Sequence, residues 1–450
     1  MTRRLSALWL AAVAIPLLSG CASYSPMILP TVPDLAQTPS LGAPAMGLQV
    51  PGLAVSTQAA QGLDARDAMA LAVVNDPDLK AARLRAGVAE AQLIEAGLLP
   101  DPHLSAGVGR GPQFTGYSEG ISEDLQAFVL RGAAQAQARA HRKEVDLTIL
   151  WQEWQVAVTA GRLFVRARRD EDLEEVFEWT RKLLAEQYDI DQADFQQSAS
   201  AIQKVAADLT VLADADAGLR RIQLDADTAR HRLNYLLGLA PQARPALAKP
   251  ERPGAAANQA FSQDQFEAAL AALGGRRVDL LALQAGYESQ EQRLRKAVLA
   301  QFPALNVGLS QGQDPQDNIP AVNLGFDIGL PVFNGNRGQI AIERASRAVL
   351  RADYQARLDE AHSEADRLWQ ATLIMAKQLE RLQAQTSALK AIAAAAEQQF
   401  RSGTMDTGAY VGLETSLLKD AQESIRLRAA LDSDRLTLDA LLGLPFGATR

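Results

Sequence analysis

PALNVGLSQGQDPQDNIPAVNLGFDIGLPVFNGNRGQIAIERA, residues 303–345, contains two runs in which apolar residues alternate with polar residues or glycine. From Val322 to Leu330 every second residue is apolar, and the residues between them are asparagine, aspartate or glycine. The shorter run from Leu305 to Leu309 alternates in the same way. Because successive side chains of a strand point to opposite faces, each run predicts a β-strand with one apolar and one polar face. The polar segment GQDPQDN between them predicts a turn, so the two strands form a hairpin.

This hairpin leads into a very long helix. After Phe333 the loop NGNRG is followed by Gln339–Ser402, a segment of 64 residues without proline or glycine. As one α-helix it would extend roughly 96 Å at 1.5 Å per residue, which is not the plan of a compact globular domain.

The long helix also carries a seven-residue repeat. A series of apolar or small residues at intervals of seven begins at Tyr354 and ends at Ala396, and a second series, Leu358–Ala393, follows it by four positions. Such a repeat predicts a left-handed coiled-coil seam. The many alanines and threonines in it favour several helices packed side by side in a wall, and an isolated two-helix coiled coil is the alternative.

The N-terminus has the pattern of a lipoprotein signal. Two arginines precede Ala7–Leu18, an apolar run of twelve residues that is too short to span a bilayer. The run ends in LSGC, which resembles the signal of bacterial lipoproteins, and Cys21 is the only cysteine of the chain. We therefore predict a signal peptide over residues 1–20 and a lipidated Cys21, with a stray thiol after an ordinary signal as the alternative. By the same resemblance, Ala22 in place of an aspartate favours the outer membrane.

The remaining chain divides into a tether and two similar halves. Residues 21–62 contain six prolines and little periodicity, which is typical of an extended tether. Residues 63–240 and residues 263–445 each predict a helix, two strands, a long helix, a turn and a second long helix. Residues 241–262 form a proline-containing linker between these halves.

Matching motifs recur in the two halves at a nearly constant spacing. Asp279 in VDLLAL lies 201 residues after Asp78 in PDLKAA (279 − 78), and Pro303 lies 201 residues after Pro102 at the start of a similar strand. The motif LLGL also occurs twice, at a spacing of 205 residues. Several ordered matches at one spacing indicate an internal duplication.

Four strands per chain are too few to close a barrel, and an open sheet edge in lipid would leave backbone groups without hydrogen bonds. Transmembrane barrels place apolar residues outward and polar residues inward, as the two faces of these strands require. Two or three copies would supply eight or twelve strands, and only twelve leave a usable lumen. The sequence therefore predicts a mainly α-helical protein with a membrane β-barrel built from several copies.

The lipoprotein signal, the duplicated plan and the motifs NDPDL, GLPVFNGNRGQIAIERA and EQQFRSGT together resemble the outer-membrane efflux channel family typified by TolC. The resemblance covers residues 63–445, and the strand ending LPVFN-x-N-x-G is most similar to the lipoprotein-like channels of heavy-metal cation efflux systems. It implies a homotrimer whose twelve-stranded barrel in the outer membrane is continued by an α-helical barrel in the periplasm. It also implies docking to a periplasmic adaptor (membrane fusion) protein and an inner-membrane pump.

The ends of the long hairpins contain the candidate functional residues. The polar segment Tyr188–Phe195 is the predicted turn of the first half, and Gly403–Glu414 is that of the second. Family members often carry aspartates directly after the glycine of this tip, whereas the sequence here is GTMDTGAYVGLET. Threefold symmetry would repeat the four candidate pore-entrance acids as rings that concentrate cations. These acids are Asp191, Asp194, Asp406 and Glu414, and acids that merely solvate a loop are the alternative.

Other classes of function have less support in the sequence. A formal net charge of −8 argues against a basic nucleic-acid-binding surface. The histidines lack metal-ligand spacing, and no nucleophile, base and orienting group can be assembled, so we predict neither an enzyme nor a cofactor. A periplasmic adaptor would have one hairpin inside flanking β domains, and a coiled-coil scaffold would not need amphipathic strands. The transported substrate stays open between metal cations, drugs and, as in type I secretion, polypeptides.

Overall fold

The structure is a computed structural model that describes residues 24–39, 53, 62–110, 115–197, 202–249, 261–313 and 320–449. The chain divides into two compact units, Met1–Leu35 and Ala36–Arg450. In the first unit, residues 24–35 are exposed and form neither a helix nor a strand. The predicted signal peptide, Cys21 and part of the predicted linker lie outside the described residues.

The second unit contains nine helices and four strands among its described residues. In the first half these are α1 (Ala65–Asn75), α2 (Pro77–Gly97), β1 (His103–Arg110), β2 (Thr115–Asp124), α3 (Gln126–Gln196) and α4 (Ile202–Leu236). In the second half they are α5 (Gln263–Ala271), α6 (Leu273–Arg276), α7 (Val278–Leu299), β3 (Ala304–Gln313), β4 (Pro320–Gly329), α8 (Arg337–Arg401) and α9 (Thr407–Leu441). None of the helices in the described part of the chain has a stretch apolar and long enough to cross a membrane.

The four strands form one antiparallel sheet in the order β1-β2-β3-β4. Its register confirms the predicted faces, because Leu309 pairs with Ile121 on one side and with Leu324 on the other. The return strand of the first hairpin is shorter than the predicted Tyr117–Phe128. It ends at Asp124, whose carboxylate accepts a hydrogen bond from the backbone N–H of Gln126 (2.8 Å), and α3 begins there.

The long helices confirm one predicted hairpin and correct the other. Helix α8 closely matches the predicted segment Gln339–Ser402 and ends before Gly403, which has φ +73°. The predicted turn at Tyr188–Phe195 is wrong, since α3 continues through it to Gln196. That segment contains neither glycine nor proline, and its acids do not interrupt the helix, because Asp189 and Asp194 lie on the exposed face and Asp191 is buried.

The long helices pack side by side in the order α4–α3–α9–α8. The main cores lie where α1 and the segment α5–α7 pack against these long helices. Trp369 on α8 illustrates the packing, because its ring stacks on Phe266 at 5.0 Å between centroids and its indole N–H donates to Gln263 at 2.8 Å. The cores contain mainly leucine, alanine and aromatic residues, among them Leu71, Phe164 and Leu233 in the first half, Leu280, Leu368 and Leu438 in the second, and Met69, Trp154, Val278 and Phe446 between them.

The ends of α4 and α9 have the same geometry. Gly238 and Gly443 follow these helices with φ values of +66° and +64°. A side chain at Gly238 would meet the carbonyl oxygen of Asn75 at 3.2 Å, and one at Gly443 would meet the backbone of Arg276 at 3.1 Å. Both positions therefore favour glycine for its conformation and for the close approach of another chain segment.

Part of the predicted tether belongs to the folded unit. Ala36 exchanges backbone hydrogen bonds with Gly238 and Ala240 (3.0 and 2.8 Å). Leu63, the first residue after the predicted tether, does so with Ala246 and Ala248 (both 2.8 Å). Leu53 is buried in the core that contains Trp154. A proline-rich composition indicated an extended backbone, but it did not show that this backbone pairs with the segment after α4.

Candidate functional site: the sheet faces and the ends of the helical hairpins

One face of the sheet is apolar and exposed in the single chain. Leu104, Ile121, Leu309 and Leu324 occupy one row across the four strands, as their pairing shows. Their exposed fractions are 82, 49, 50 and 64%, so no described residue covers this row. An apolar face of this kind requires an apolar environment or a partner surface.

Strand β2 interrupts this apolar face with two glutamates. Glu119 lies between Ala106 and Gln311, and Glu123 lies beside Val307. Both occupy the face of Ile121, as their spacing in the sequence indicates. The first hairpin is therefore less apolar than the second, in which only Gln311 and Gln313 interrupt the face.

The opposite face carries small and polar residues. Asp124, Asn306 and Asp327 are direct neighbours in one row across β2, β3 and β4. The two aspartates are the only carboxylates on this face among the described strand residues. Most of the other positions are glycine or serine, including Gly107, Ser118, Gly120, Gly308, Ser310, Gly312 and Gly325.

At the end of the first helical hairpin, Asp191 is buried and paired with Lys204. The Lys204 ammonium lies 2.7 Å from Asp191 Oδ1, and the Gln187 amide donates to Asp191 Oδ2. Burial opposes the charge of Asp191, but hydrogen bonds from Lys204, Asp208 and Gln187 outweigh burial and lower its pKa. The hydrogen bond to Asp191 also raises the pKa of Lys204. Asp191 is thus a neutralised structural acid in the single chain, not a free carboxylate of a loop.

Asp208 completes this cluster. Burial, followed by the hydrogen bond and the charge of Asp191, raises the pKa of Asp208 to about 6. Its Oδ2 atom is buried and receives no hydrogen bond from a described donor. Sequence inspection missed Lys204 and Asp208, and the only available signal was a lone lysine shortly after an acid-rich segment.

The second hairpin end places Asp406 and Glu414 differently. Asp406 caps α9 by accepting a hydrogen bond from the Ala409 backbone N–H at 3.1 Å, which satisfies one of the free amides of the first turn. Glu414 lies within α9, not in a turn, and the pKa of Tyr410 is raised by burial and by this glutamate. Tyr410 in turn stacks on Phe400 at 4.6 Å between centroids.

The structure brings two of the four candidate acids to one lysine. Asp191 pairs with Lys204 directly, and the charge of Asp406 also acts on Lys204. Asp194 is exposed at the end of α3, and Glu414 lies two turns along α9. Within the described part of the chain, no three His, Cys, Asp or Glu side chains are arranged to hold a metal ion.

A four-stranded amphipathic sheet joined to a layer of very long helices is the fold of TolC-like outer-membrane channels. The chain is similar to CusC, whose crystal structures concern the conformational changes that accompany folding and transmembrane channel formation. The TM-score is 0.68 and the identity 17%, and the match covers 90% of this chain and 99% of CusC. It is also similar to the CmeC outer-membrane channel of Campylobacter jejuni, with a TM-score of 0.69, 14% identity and coverage of 92 and 96%. The open state of the MtrE outer-membrane channel of Neisseria gonorrhoeae gives a TM-score of 0.64, 14% identity and coverage of 95 and 99%. No protein-family model and no curated protein sequence matches the chain.

Proposed function

We propose that this chain is the outer-membrane subunit of a tripartite efflux system and forms a passive homotrimeric conduit from the periplasm to the exterior. The observation that carries this proposal is the sheet, which has an apolar face, a polar face and two edge strands that pair with no further described strand. In lipid the edges must pair, and pairing β1 of one copy with β4 of the next closes a barrel with the apolar face outward.

The helical layer supports assembly from several copies. Helices α4 and α8 form its two edges, and each exposes large apolar side chains there. Leu209 on α4 and Ile392 on α8 are 50 and 57% exposed. Both lie about 10–14 Å from the hairpin ends at 1.5 Å per residue, so they would meet where the edges of two copies pack. Three copies would supply twelve strands and twelve long helices, including both arms of each hairpin.

In this assembly the polar face of the sheet lines the lumen. Glycine and serine have small side chains, so they leave the lumen of the barrel wide. Asp124 and Asp327 place carboxylates in one row on this face. At the other end, Asp194, Asp406 and Glu414 are the candidate entrance acids that have no lysine in direct contact within the described part of the chain, and Asp406 and Glu414 belong to the second hairpin. We propose metal cations as the transported class because acidic groups repeated by symmetry concentrate cations. Drug efflux or type I secretion is the alternative.

The length of the N-terminal segment is compatible with a lipid anchor at Cys21. Ala36 pairs with Gly238, which lies beside Asn75 at the start of the segment that continues as α2. Helix α2 has 21 residues and leads toward β1 over about 30 Å. The 15 residues from Cys21 to Ala36 (36 − 21) can extend about 50 Å, so a lipidated Cys21 could reach a membrane at the level of the sheet. We further propose that the opposite end docks to a periplasmic adaptor and an inner-membrane pump.

Planar-bilayer recording on the purified protein, combined with mass measurement in detergent, tests the proposed function. We expect a trimer with stepwise conductance and a preference for cations over anions. Asp406→Asn combined with Glu414→Gln should reduce that preference, most strongly in dilute salt where screening is weakest. Asp366→Asn combined with Glu380→Gln, at exposed positions of α8 away from the hairpin end, is a matched control that removes the same two charges. A monomer without conductance would refute the channel, and unchanged selectivity at low salt would refute the role of the two entrance acids.

A further inference from the structure

The end of the α3–α4 hairpin contains one more carboxylate than its neighbouring lysine can neutralise. Asp191 on α3 is 1% exposed, and each of its two oxygens accepts one hydrogen bond, from Lys204 and from Gln187, which leaves a second lone pair on each oxygen. Asp208 on α4 lies next to Asp191, with a buried Oδ2 atom that no described donor reaches. A buried acceptor without a donor is costly, but a protonated carboxyl at this position becomes a donor to its neighbour.

We propose that Asp191, Asp208 and Lys204 form a proton-dependent clasp that joins α3 to α4 at the end of the hairpin. With a proton between the two carboxyl groups, Asp208 donates to Asp191 and the helices are tied side by side. When the proton leaves, two adjacent carboxylates repel each other across the same contact, and Lys204 alone opposes the repulsion. No bond other than this O–H is made or broken, and the proton is exchanged with solvent.

The charges that surround the clasp come from three elements. Asp191 belongs to α3, Lys204 and Asp208 belong to α4, and Asp406 at the start of α9 also acts on Lys204. The α9 helix is packed against the same hairpin, because Val411 is buried against Leu184 and Ala215. The clasp therefore lies close to the contact between the two helical hairpins of one chain.

The sign of the pH dependence follows from the raised pKa of Asp208. Its folded-state pKa of about 6 lies above the ordinary value of 3.8, so the folded tip binds the proton more tightly than the unfolded chain does. The stabilisation of the clasp by the proton is therefore complete below the ordinary pKa of 3.8 and is lost as the pH rises through about 6. Acidification of the surrounding medium tightens the hairpin end, and neutral pH loosens it.

The functional consequence rests on the proposed channel, in which this hairpin end lies at the periplasmic mouth. A tighter hairpin in acid would restrict the movement of α4 at that mouth. The clasp would therefore make the mouth of the conduit sensitive to periplasmic pH, independently of any partner protein.

Hydrogen–deuterium exchange of the full-length protein in lipid nanodiscs tests the clasp. After correction for intrinsic rates, amides at the end of α3 and the start of α4 should exchange about tenfold faster at pH 7.5 than at pH 5. The reason is that pH 5 lies about one unit below the folded-state pKa of about 6, where the proton stabilises the closed end about tenfold, whereas at pH 7.5 it adds almost nothing. Asp208→Asn provides a permanent amide donor to Asp191, so amide exchange at the hairpin end of this variant should stay slow at both pH values. Asp214→Asn, at an exposed position of the same helix, should keep the dependence of the natural protein.

A second variant keeps the test decisive if Asp208→Asn does not fold. Lys204→Met removes the ammonium that favours the ionised form of the pair, so the midpoint of the transition should move to higher pH. Exchange that is independent of pH in the natural chain, or a midpoint unaffected by Lys204→Met, would overturn the clasp. Hydrogen exchange and conductance are separate measurements, so the two proposals can fail separately. A conducting trimer in which exchange at the hairpin end is independent of pH would refute the clasp alone. Exchange that depends on pH in a protein without conductance would refute the proposed channel alone.

Discussion

Arginine substitution at two neighbouring positions of β4 distinguishes the face of the sheet that meets lipid. Leu324 lies on the apolar face, in the row with Leu309 and Ile121, and is near the middle of β4. Asn323 lies on the opposite face and pairs with Ser310. Since both positions are on one strand and one residue apart, Leu324→Arg and Asn323→Arg change the same charge at nearly the same depth.

The two substitutions should differ strongly in how much they lower the free energy of unfolding. A lysine or arginine on the lipid face at the middle of a bilayer costs about 2–4 kcal/mol, whereas residues facing a wet lumen cost little. Leu324→Arg should therefore lower the free energy of unfolding by about 2–4 kcal/mol per chain, which becomes about 6–12 kcal/mol for three copies. Asn323→Arg should lower it by less than about 1 kcal/mol, because its neighbours on that face are small and leave room for the side chain.

Urea unfolding of the protein reconstituted in lipid vesicles, followed by intrinsic tryptophan fluorescence, gives both free energies by linear extrapolation. The two variants should have similar slopes and very different midpoints. Equal losses for the two substitutions would refute the assignment of the apolar face to lipid. A larger loss for Asn323→Arg would place the polar face outward and invert the barrel.

Three further substitutions test the packing, the helix ends and the N-terminus. Trp369→Ala should cost about 3–5 kcal/mol because a buried, stacked and hydrogen-bonded ring is lost, whereas the half-exposed Trp179→Ala should stay within about 1 kcal/mol by thermal unfolding. Gly238→Ala should cost about 1–2 kcal/mol because of its positive φ and the nearby Asn75 carbonyl, and Gly412→Ala, in an open helical position, should be neutral or stabilising. Cys21→Ser should abolish incorporation of a radioactive fatty acid in cells, and persistent labelling would contradict lipidation at Cys21.

Periodic patterns predicted the elements that depend on local sequence. The alternation from Val322 to Leu330 was sufficient to assign the faces of β4, because a strand that separates two environments needs that period. The absence of proline and glycine from Gln339–Ser402 similarly predicted α8 to within a few residues. The predicted end of strand β2 was less accurate. Leu125 and Phe128 continue an apolar pattern that is compatible with either a strand or the first turn of α3.

The position of the reversal between α3 and α4 could not be predicted from composition. Acid-rich sequence at Tyr188–Phe195 indicated a polar, exposed segment, and the polarity was compatible with a helix end as well as with a loop. In the second hairpin, Gly403 supplied a positive φ and marked the end of α8 unambiguously. Because the reversal after α3 was misplaced, the sequence did not show that Asp191 and Asp208 face each other across it. The clasp is therefore a property of the tertiary structure.

The internal duplication explains why backbone positions were easier to predict than side-chain chemistry. Asn234 and Asp439 lie 205 residues apart (439 − 234), and the carbonyl of each accepts a 2.8 Å hydrogen bond from the residue five positions later. Their side chains hold the following segment in opposite ways. Asn234 donates to the Ala243 carbonyl at 2.9 Å, whereas Asp439 accepts from the Thr449 backbone N–H at 2.9 Å. The duplicated fold requires a short polar side chain at this position but accepts either a donor or an acceptor. Gly238 and Gly443, which set the backbone path after these helices, consequently match between the halves, whereas the polar side chain at Asn234 and Asp439 diverged. The charges that would determine cargo and gating belong to that divergent set, and a repeat in the sequence does not predict them.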